Sequence, residues 1–277
     1  MKISLITVCY NSAATIMTAI ESVFAQRGAD VEYIVVDGAS SDGTADVVRG
    51  FEERARRRSG DGHFAFRWLS ERDRGMYDAI NKGIGMATGD VVGILNADDL
   101  LESPDTLAHI ASAFRDGVDC VYADIRFVRD DLETTVRYYG AARWRPWMHN
   151  WGYMPPHPSV YIRRALFERL GPYKLGYSIS ADFELMVRYL CREGISAVYL
   201  PECVVRMRMG GKSTKDWRAN VLLNVENVRA NRENGYFSCF PMMLPKYLFK
   251  VWGFVFRSGR RRSLSSVLCP FSLKSDF

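Results

Sequence analysis

Through residues 1–100 the chain alternates between short apolar runs and longer stretches in which apolar residues return every three or four positions. The runs are Lys2 to Cys9, Val31 to Val36, Phe64 to Leu69 and Val91 to Leu95. Their length and their Val, Ile, Leu and Phe content predict strands. Val91–Leu95 is apolar throughout, the pattern of a strand buried on both faces. Between the runs, residues 13–25, a segment ending in the basic run Arg54–Arg58, and residues 75–87 read as helices. In the last of these, Met76, Ala79, Ile80, Ile84 and Ala87 share one face. Asn11 or Ser12 is placed to cap the first helix, and Ser41 or Asp42 the second. Strand–helix alternation of this kind predicts an α/β fold, a Rossmann-like, mostly parallel sheet flanked by helices.

Beyond Asp99 the pattern loosens. Pro104 to Phe114 reads as a helix, and Val118 to Val128 with Thr134 to Tyr139 as a strand hairpin. Residues 143–158 are dense in aromatics and prolines, which excludes a helix, and the segment is long for a passive connection. Leu166–Leu170 and Ala181–Cys191 read as helical, Ala197–Leu200 as a strand, and Lys215–Asn231 as a long helix. Gly83 to Gly89 has the look of a dinucleotide-binding loop, but the spacing is wrong and it closes a helix instead of opening one. With no repeat or low-complexity linker, the expected organisation is a catalytic domain over 1–235 and a C-terminal helical extension over 236–277. The domain divides into a nucleotide half to about residue 100 and an acceptor half beyond it.

Composition changes this picture in one respect. The chain has 277 residues, 48% hydrophobic and 25% charged, with a net charge of +5, as an ordinary globular protein has. The charge is not evenly spread: residues 244–277 hold Lys246, Lys250, Arg257, Arg260, Arg261, Arg262 and Lys274 against Asp276, a net of +6, so the remainder carries −1. A basic tail on a near-neutral body argues against a nucleic-acid partner. The six cysteines are scattered with no C-x-x-C pair, which favours neither a zinc site nor a disulfide framework. The amino terminus reads as a strand and not as a signal peptide, so a cytoplasmic protein with reduced thiols is expected.

The candidate chemistry is acidic. Asp98 and Asp99 follow the apolar run Val91–Leu95, and ligands of open α/β sheets bind at the carboxyl ends of strands. Adjacent carboxylates repel, and a divalent cation is the usual reason for the pairing. Asp37 follows the second strand and Asp182 opens a helix; each read singly fits a cap or turn as well as a reactive group. Trp144, Trp147 and Trp151 offer faces for sugar rings or for the core in equal measure.

Six segments together carry a family resemblance: I-T-V-C-Y-N at 6–11, I-V-V-D-G-A-S-S-D-G-T at 34–44, S-E-R-D-R-G-M-Y-D-A-I-N-K-G at 70–83, G-D-V-V-G-I-L-N-A-D-D at 89–99, P-H-P-S-V-Y-I-R at 156–163 and I-S-A-D-F-E-L at 179–185. In order and spacing, over about residues 1–215, the chain resembles inverting family 2 glycosyltransferases of the GT-A fold, and most resembles the bacterial exopolysaccharide subgroup that includes colanic-acid-type enzymes. The resemblance implies that Thr7, Tyr10, Asn11, Asp37, Arg74, Asn81, Asn96 and Asp98 bind a nucleotide-diphosphate sugar, UDP-linked in preference to GDP-linked. It implies that Asp98, with Asp99, holds Mg²⁺ or Mn²⁺ against the diphosphate, and that Asp182 is the catalytic base. His157 and Lys212, the latter in the turn Gly210–Ser213, would face the acceptor or the diphosphate. The first acid of the family's D-x-D motif is Asn96 here, which lowers the charge of the metal site. The Q-x-x-R-W motif of processive members is absent, so addition of a single sugar is expected. A nucleotidyltransferase, or a scaffold that binds sugar or nucleotide without turnover, is the rival reading.

The tail adds a location. Leu244, Leu248, Val251 and Val255 recur at helical spacing, with Lys246, Lys250 and Arg257 on another face and Arg260–Arg262 following. Charge interrupts the run too often for a span of about 20 apolar residues. A helix lying in the membrane interface fits the pattern, at the inner face where a lipid-linked saccharide acceptor would be presented. Packing on the catalytic domain or a second subunit is the alternative.

Overall fold

A computed structural model describes residues 1–209 and 217–243. Four strands form the parallel part of a nine-stranded sheet: β1 (Lys2–Cys9), β2 (Asp30–Asp37), β3 (Phe64–Ser70) and β4 (Val91–Ile94), in the order β3-β2-β1-β4. Their registers are continuous, with Lys2 through Cys9 facing Asp30 through Asp37. Along β1, Ile3 and Leu5 enter one apolar cluster while Ile6 and Val8 enter the other. Both faces of the sheet are therefore covered, as the apolar runs require. α1 (Ile16–Phe24), α2 (Thr44–Arg49), α3 (Glu52–Arg58) and α5 (Thr106–Ala113) cover the first face; α4 (Met76–Met86), α6 (Arg164–Leu170) and α7 (Ala181–Met186) cover the second. Gly93 in β4 permits close packing, since a Cβ there would overlap the ring of Tyr161.

Beyond β4 the sheet becomes mixed. β8 (Tyr161–Arg163) pairs antiparallel with β4 and with β6 (Cys120–Val128), and β6 runs parallel to β9 (Ala197–Arg208). β5 (Leu100–Leu101) lies antiparallel on the far side of β9, and β7 (Thr135–Tyr139) closes the expected hairpin with β6. The parallel expectation thus holds for the amino-terminal strands, and the second half is mixed.

The other departures have local causes. The second helix breaks into α2 and α3 at Gly50–Phe51. The first begins at Ile16 without a side-chain cap; instead the Ser12 carbonyl accepts from the Thr15 and Ile16 N–H groups. The aromatic segment is not α-helical, yet it forms 3₁₀ turns at Pro146–Trp151 and His157–Ser159. The helix from Ala181 turns into a π-helix over Val187–Arg192. α8 (Trp217–Glu233) is the long helix, two residues later than expected at each end. Ser238 and Met243 are fully buried, and a 3₁₀ turn covers Phe240–Met243. The proposed interfacial helix, from residue 244 on, lies outside the described residues. Among the described residues no helix is long and apolar enough to cross a membrane.

Candidate active site

The carboxyl ends of β1 to β4 emerge along one edge, and their exit loops hold one another. After β1, the Asn11 N–H donates to Ser40 Oγ (2.8 Å) and Asn11 Oδ1 accepts from the Ser41 N–H (3.0 Å). The Ser12 N–H donates to Thr44 Oγ1 and the Ala13 N–H to Asp42 Oδ2, at 2.8 and 3.0 Å. Asn11 and Ala39 both take the left-handed conformation, with φ of 50° and 59°. Asn tolerates this readily; Ala39 is held there by its neighbours.

Asp37 ends β2 fully buried. One oxygen accepts from the Ser40 N–H (3.1 Å) and the Ser70 hydroxyl (2.6 Å); the other accepts from the Ser40 hydroxyl and lies 3.7 Å from Cys9 Sγ. It therefore ties the ends of β1, β2 and β3 together, and its oxygens are already occupied. Burial together with this carboxylate pushes the Cys9 thiol well up, so Cys9 is an unreactive core group. Thr7 is likewise fully buried and accepts from the Tyr33 hydroxyl (3.0 Å), so it supports the edge from beneath instead of lining it. Tyr10 stands 61% exposed on the edge, and a Cβ at Gly38 beside it would meet both the Tyr10 ring and the Asp73 carboxylate. Arg74 is exposed and paired with Asp78 at 3.0 Å.

The acidic end of β4 divides in two. Asp99 is 1% exposed and accepts from Asn96 Nδ2 (2.7 Å) and the Arg208 N–H (3.2 Å). Burial first, and then the Asp98 charge, push its carboxyl up to about 8. Asp98 is half-buried, and among the described residues no donor reaches its carboxylate. A metal ligand must keep its lone pairs available and stay accessible to the ligand it shares. Asp98 is the more accessible of the two carboxylates, while Asp99 already accepts from Asn96 and the Arg208 N–H. Asn96 is correspondingly a partner for Asp99, donating where an acid would repel. Among the described residues there is no group of three His, Cys, Asp or Glu able to hold a metal alone. Mg²⁺ bound by one or two carboxylates and a substrate diphosphate needs no such group. Arg208 Nε, on the strand end beside Asp99, is buried, with no hydrogen-bond partner among the described residues.

Asp182 sits in the first turn of α7, half-buried. Burial raises its proton affinity, opposed in turn by His157, the Phe183 N–H and the Tyr77 hydroxyl. The Tyr77 hydroxyl donates to Asp182 Oδ1 (3.2 Å) and to the Ile179 carbonyl, and the Phe183 N–H donates to the same Oδ1 (2.9 Å). Burial and the Asp182 charge keep the Tyr77 phenol protonated, so it remains a donor. His157 Nε2 and the Tyr173 hydroxyl are 2.7 Å apart, and burial pulls the His157 pKa down. His157 thus belongs to the wall behind Asp182. A half-buried carboxylate with raised proton affinity and an accessible edge is suited to accept a proton from a hydroxyl.

Asn81 is engaged within the fold. Its Nδ2 donates to the Tyr173 carbonyl (2.8 Å) and its Oδ1 accepts from the Tyr173 N–H (3.0 Å), so the amide mimics a strand pair and fixes the loop before α7. Trp144 is buried edge-on to Tyr122, a core residue; Trp147 is half exposed. Lys212 lies outside the described residues. Sequence reasoning missed Asp73, Tyr77, Tyr173 and Arg208. Tyr77 alone had a signal, an aromatic in the first turn of a helix that follows a charged loop.

Comparison with known proteins adds context to this geometry. The profile described as "Glycosyl transferase family 2" matches residues 4–170. A "PGL/p-HBAD biosynthesis glycosyltransferase" of Mycobacterium bovis (strain BCG / Pasteur 1173P2) is 31% identical over 199 residues, 71% of this chain and 73% of the relative. Among solved structures, a mannosyltransferase from Pyrobaculum calidifontis in complex with GDP-Man and Mn²⁺ superposes with a TM-score of 0.60 at 21% identity, over 91% of this chain and 74% of that one. Glucosyl-3-phosphoglycerate synthase from Mycobacterium tuberculosis, in complex with Mn²⁺, UDP and phosphoglyceric acid, gives a TM-score of 0.57 at 16% identity, over 85% of this chain and 79% of that one. At these identities the two structures establish a shared fold, of the GT-A type.

Proposed function

Since the chain belongs to glycosyl transferase family 2, we propose that it moves a single sugar, with inversion, from a nucleotide-diphosphate donor to a saccharide acceptor carried on a lipid. The observation that carries this reading is a half-buried Asp98 at the end of β4, whose carboxylate meets no donor among the described residues, together with a half-buried Asp182 whose proton affinity is raised. The donor lies along the carboxyl edge, with Tyr10, Asn11 and Arg74 at its rim and Asp37 organising the loops beneath. Asp98 would hold Mg²⁺ or Mn²⁺ together with the donor diphosphate. The cation supplies charge neutralisation for the leaving group. The solved structures of like fold hold GDP-Man with Mn²⁺ and UDP with Mn²⁺, which supports a nucleotide-sugar donor without choosing its base.

Asp182 accepts the proton of the acceptor hydroxyl as that oxygen bonds to the anomeric carbon. The carbon–oxygen bond to the diphosphate breaks on the opposite face, and the nucleoside diphosphate leaves with the electron pair. A displacement from the opposite face inverts the anomeric configuration. The environment of Asp182 suits the step: half-buried, it holds a proton more tightly than an ordinary carboxylate, and the Tyr77 hydroxyl keeps it oriented. Surface or exopolysaccharide synthesis is the setting this fits, with the protein at the cytoplasmic face of the plasma membrane. The basic, amphipathic residues 244–262 would meet the anionic leaflet there, each basic residue adding roughly 1 kcal/mol.

A thermal-shift panel tests the reading. Nucleoside diphosphates and nucleotide sugars with Mn²⁺ should raise the Tm of the full chain, because a ligand of the folded state stabilises it. Excess chelator or Asp98→Ala should remove most of that shift. No response to any nucleotide sugar, or a full response in chelator, contradicts it.

A further inference from the structure

We infer that Tyr77 of α4 and Glu226 of α8 are positioning residues that grip the segment carrying Asp182 from two sides; the inference rests on Asp182 being the base. Three consecutive backbone N–H groups converge on the Glu226 carboxylate: Ser178 on Oε1 at 2.7 Å, Ile179 on Oε2 at 2.9 Å and Ser180 on Oε2 at 2.9 Å. Glu226 is buried, and nothing in the helix it belongs to requires a carboxylate there. Ser180 is the N-cap of α7, and no side chain of the α7 segment itself satisfies these amides. A carboxylate from a distant helix does so instead, at the helix end where a negative charge is favoured.

From the other side the Tyr77 hydroxyl donates to the Ile179 carbonyl and to Asp182 Oδ1 (3.2 Å). Ile179 is thereby held through both its N–H and its carbonyl, and Asp182 follows three residues later. Tyr77 in turn lies on Tyr173, ring centroids 5.8 Å apart and nearly parallel, and Tyr173 is fixed by Asn81 and meets His157. The ionisable groups acting on Asp182 from the elements packed against it are His157, Tyr77 and Tyr173. Glu226 reaches it only through the backbone. Glu226 and the segment it grips both lie beyond residues 4–170, matched by the family profile, whereas Tyr77 on the other side of that segment lies within them.

The contacts separate the two roles. Tyr77→Phe keeps the ring and removes the donor, so the carboxylate form of Asp182 loses a stabilising hydrogen bond. Glu226→Gln keeps the shape, loses the charge and turns an amide N–H₂ toward an N–H group. Displacement of the reactive group by a fraction of an ångström to an ångström costs roughly tenfold to a hundredfold in rate. The test uses the full chain, a UDP-sugar or GDP-sugar that binds, and release of nucleoside diphosphate as the readout, with water as acceptor where no saccharide is supplied.

Glu226→Gln should lower kcat by roughly tenfold to a hundredfold with the donor KM unchanged. Tyr77→Phe should shift the acid limb of the pH profile upward, because the proton is then held more tightly. A change in Tm alone, with wild-type kcat and pH profile in both variants, overturns the inference. If Glu226→Gln does not fold, the Tyr77→Phe profile decides alone. Asp182→Asn run beside them keeps the two readings apart. A dead Asp182→Asn with unaffected positioning variants sinks only this inference, whereas an active Asp182→Asn sinks the base assignment.

Discussion

The two sides of the candidate site are built differently. On the donor side, the loops after β1 and β2 are tied by small polar side chains, Asn11, Ser40, Asp42 and Thr44, over backbone in the left-handed region. The partners are neighbouring strand exits; Asn11 and Asp42 are exposed, while Ser40 is half-buried and Thr44 buried. Buried carboxylates occur on both sides, but Asp37 on the donor side ties adjacent strand ends, whereas those on the Asp182 side reach across the fold. Glu184 is fully buried and binds Arg188 Nη2 (3.0 Å), Lys174 Nζ (2.9 Å) and Asn234 Nδ2 (3.2 Å). Arg188 in turn donates to the carbonyls of Leu170, Gly171 and Pro172. The contrast matches the two tasks. A loop edge can adapt to a nucleotide and its cation, while a base must hold one position to within a fraction of an ångström of its target.

Three changes probe that contrast, in decreasing order of effect. Glu184→Ala leaves Arg188 and Lys174 without their shared carboxylate, and breaking a buried pair in this way costs about 3–5 kcal/mol. Urea unfolding should show that loss; a change under about 1 kcal/mol would mean that the Asp182 side is not rigidly anchored. Asp182→Asn should act in the opposite direction on stability. Because folding raises the Asp182 pKa, the group favours the native state below its unfolded pKa and loses that contribution as pH rises through the folded value. The amide removes a half-buried charge while keeping the acceptor for Phe183 and Tyr77, so Tm at neutral pH should rise, and the gain should vanish in acid. An equal Tm at every pH would deny that the site holds a destabilised charge. On the donor side, Ala39→Gly should change stability by less than about 1 kcal/mol, relief of left-handed strain being offset by a looser unfolded chain. A loss of several kcal/mol there would show that the donor loops are as rigid as the opposite wall.

The same division explains what the sequence made legible. β1, β2 and β4 follow from apolar runs because each is buried on both faces, so hydrophobicity alone marks them; β3, at the sheet edge, is only partly covered. β9 was expected only to Leu200 because Glu202, Arg206 and Arg208 look like a polar exit. In the fold the Arg206 guanidinium meets Glu102 (3.2 Å), which also binds Arg126 (2.7 Å), so a strand is carried through a cluster of charges. β8 and β5 are three and two residues long and exist only through their partners. Asn81 and Glu226 could not be assigned from local pattern at all, since their partners lie 92 and 46–48 residues away. Asp98 and Asp99 are adjacent in sequence and alike in residue type, yet Asp99 is enclosed while Asp98 meets no donor among the described residues. That difference comes from β9, which delivers the Arg208 N–H to Asp99.

The central claim is that Asp182 takes the proton of the attacking hydroxyl while the other side of the site holds the donor. It is tested most directly by measuring donor Kd and sugar transfer for the wild type and Asp182→Asn in parallel. The account predicts an unchanged Kd and a loss of transfer on the order of 10²–10⁴-fold. Transfer near the wild-type rate, or a loss fully explained by weaker donor binding, would contradict it.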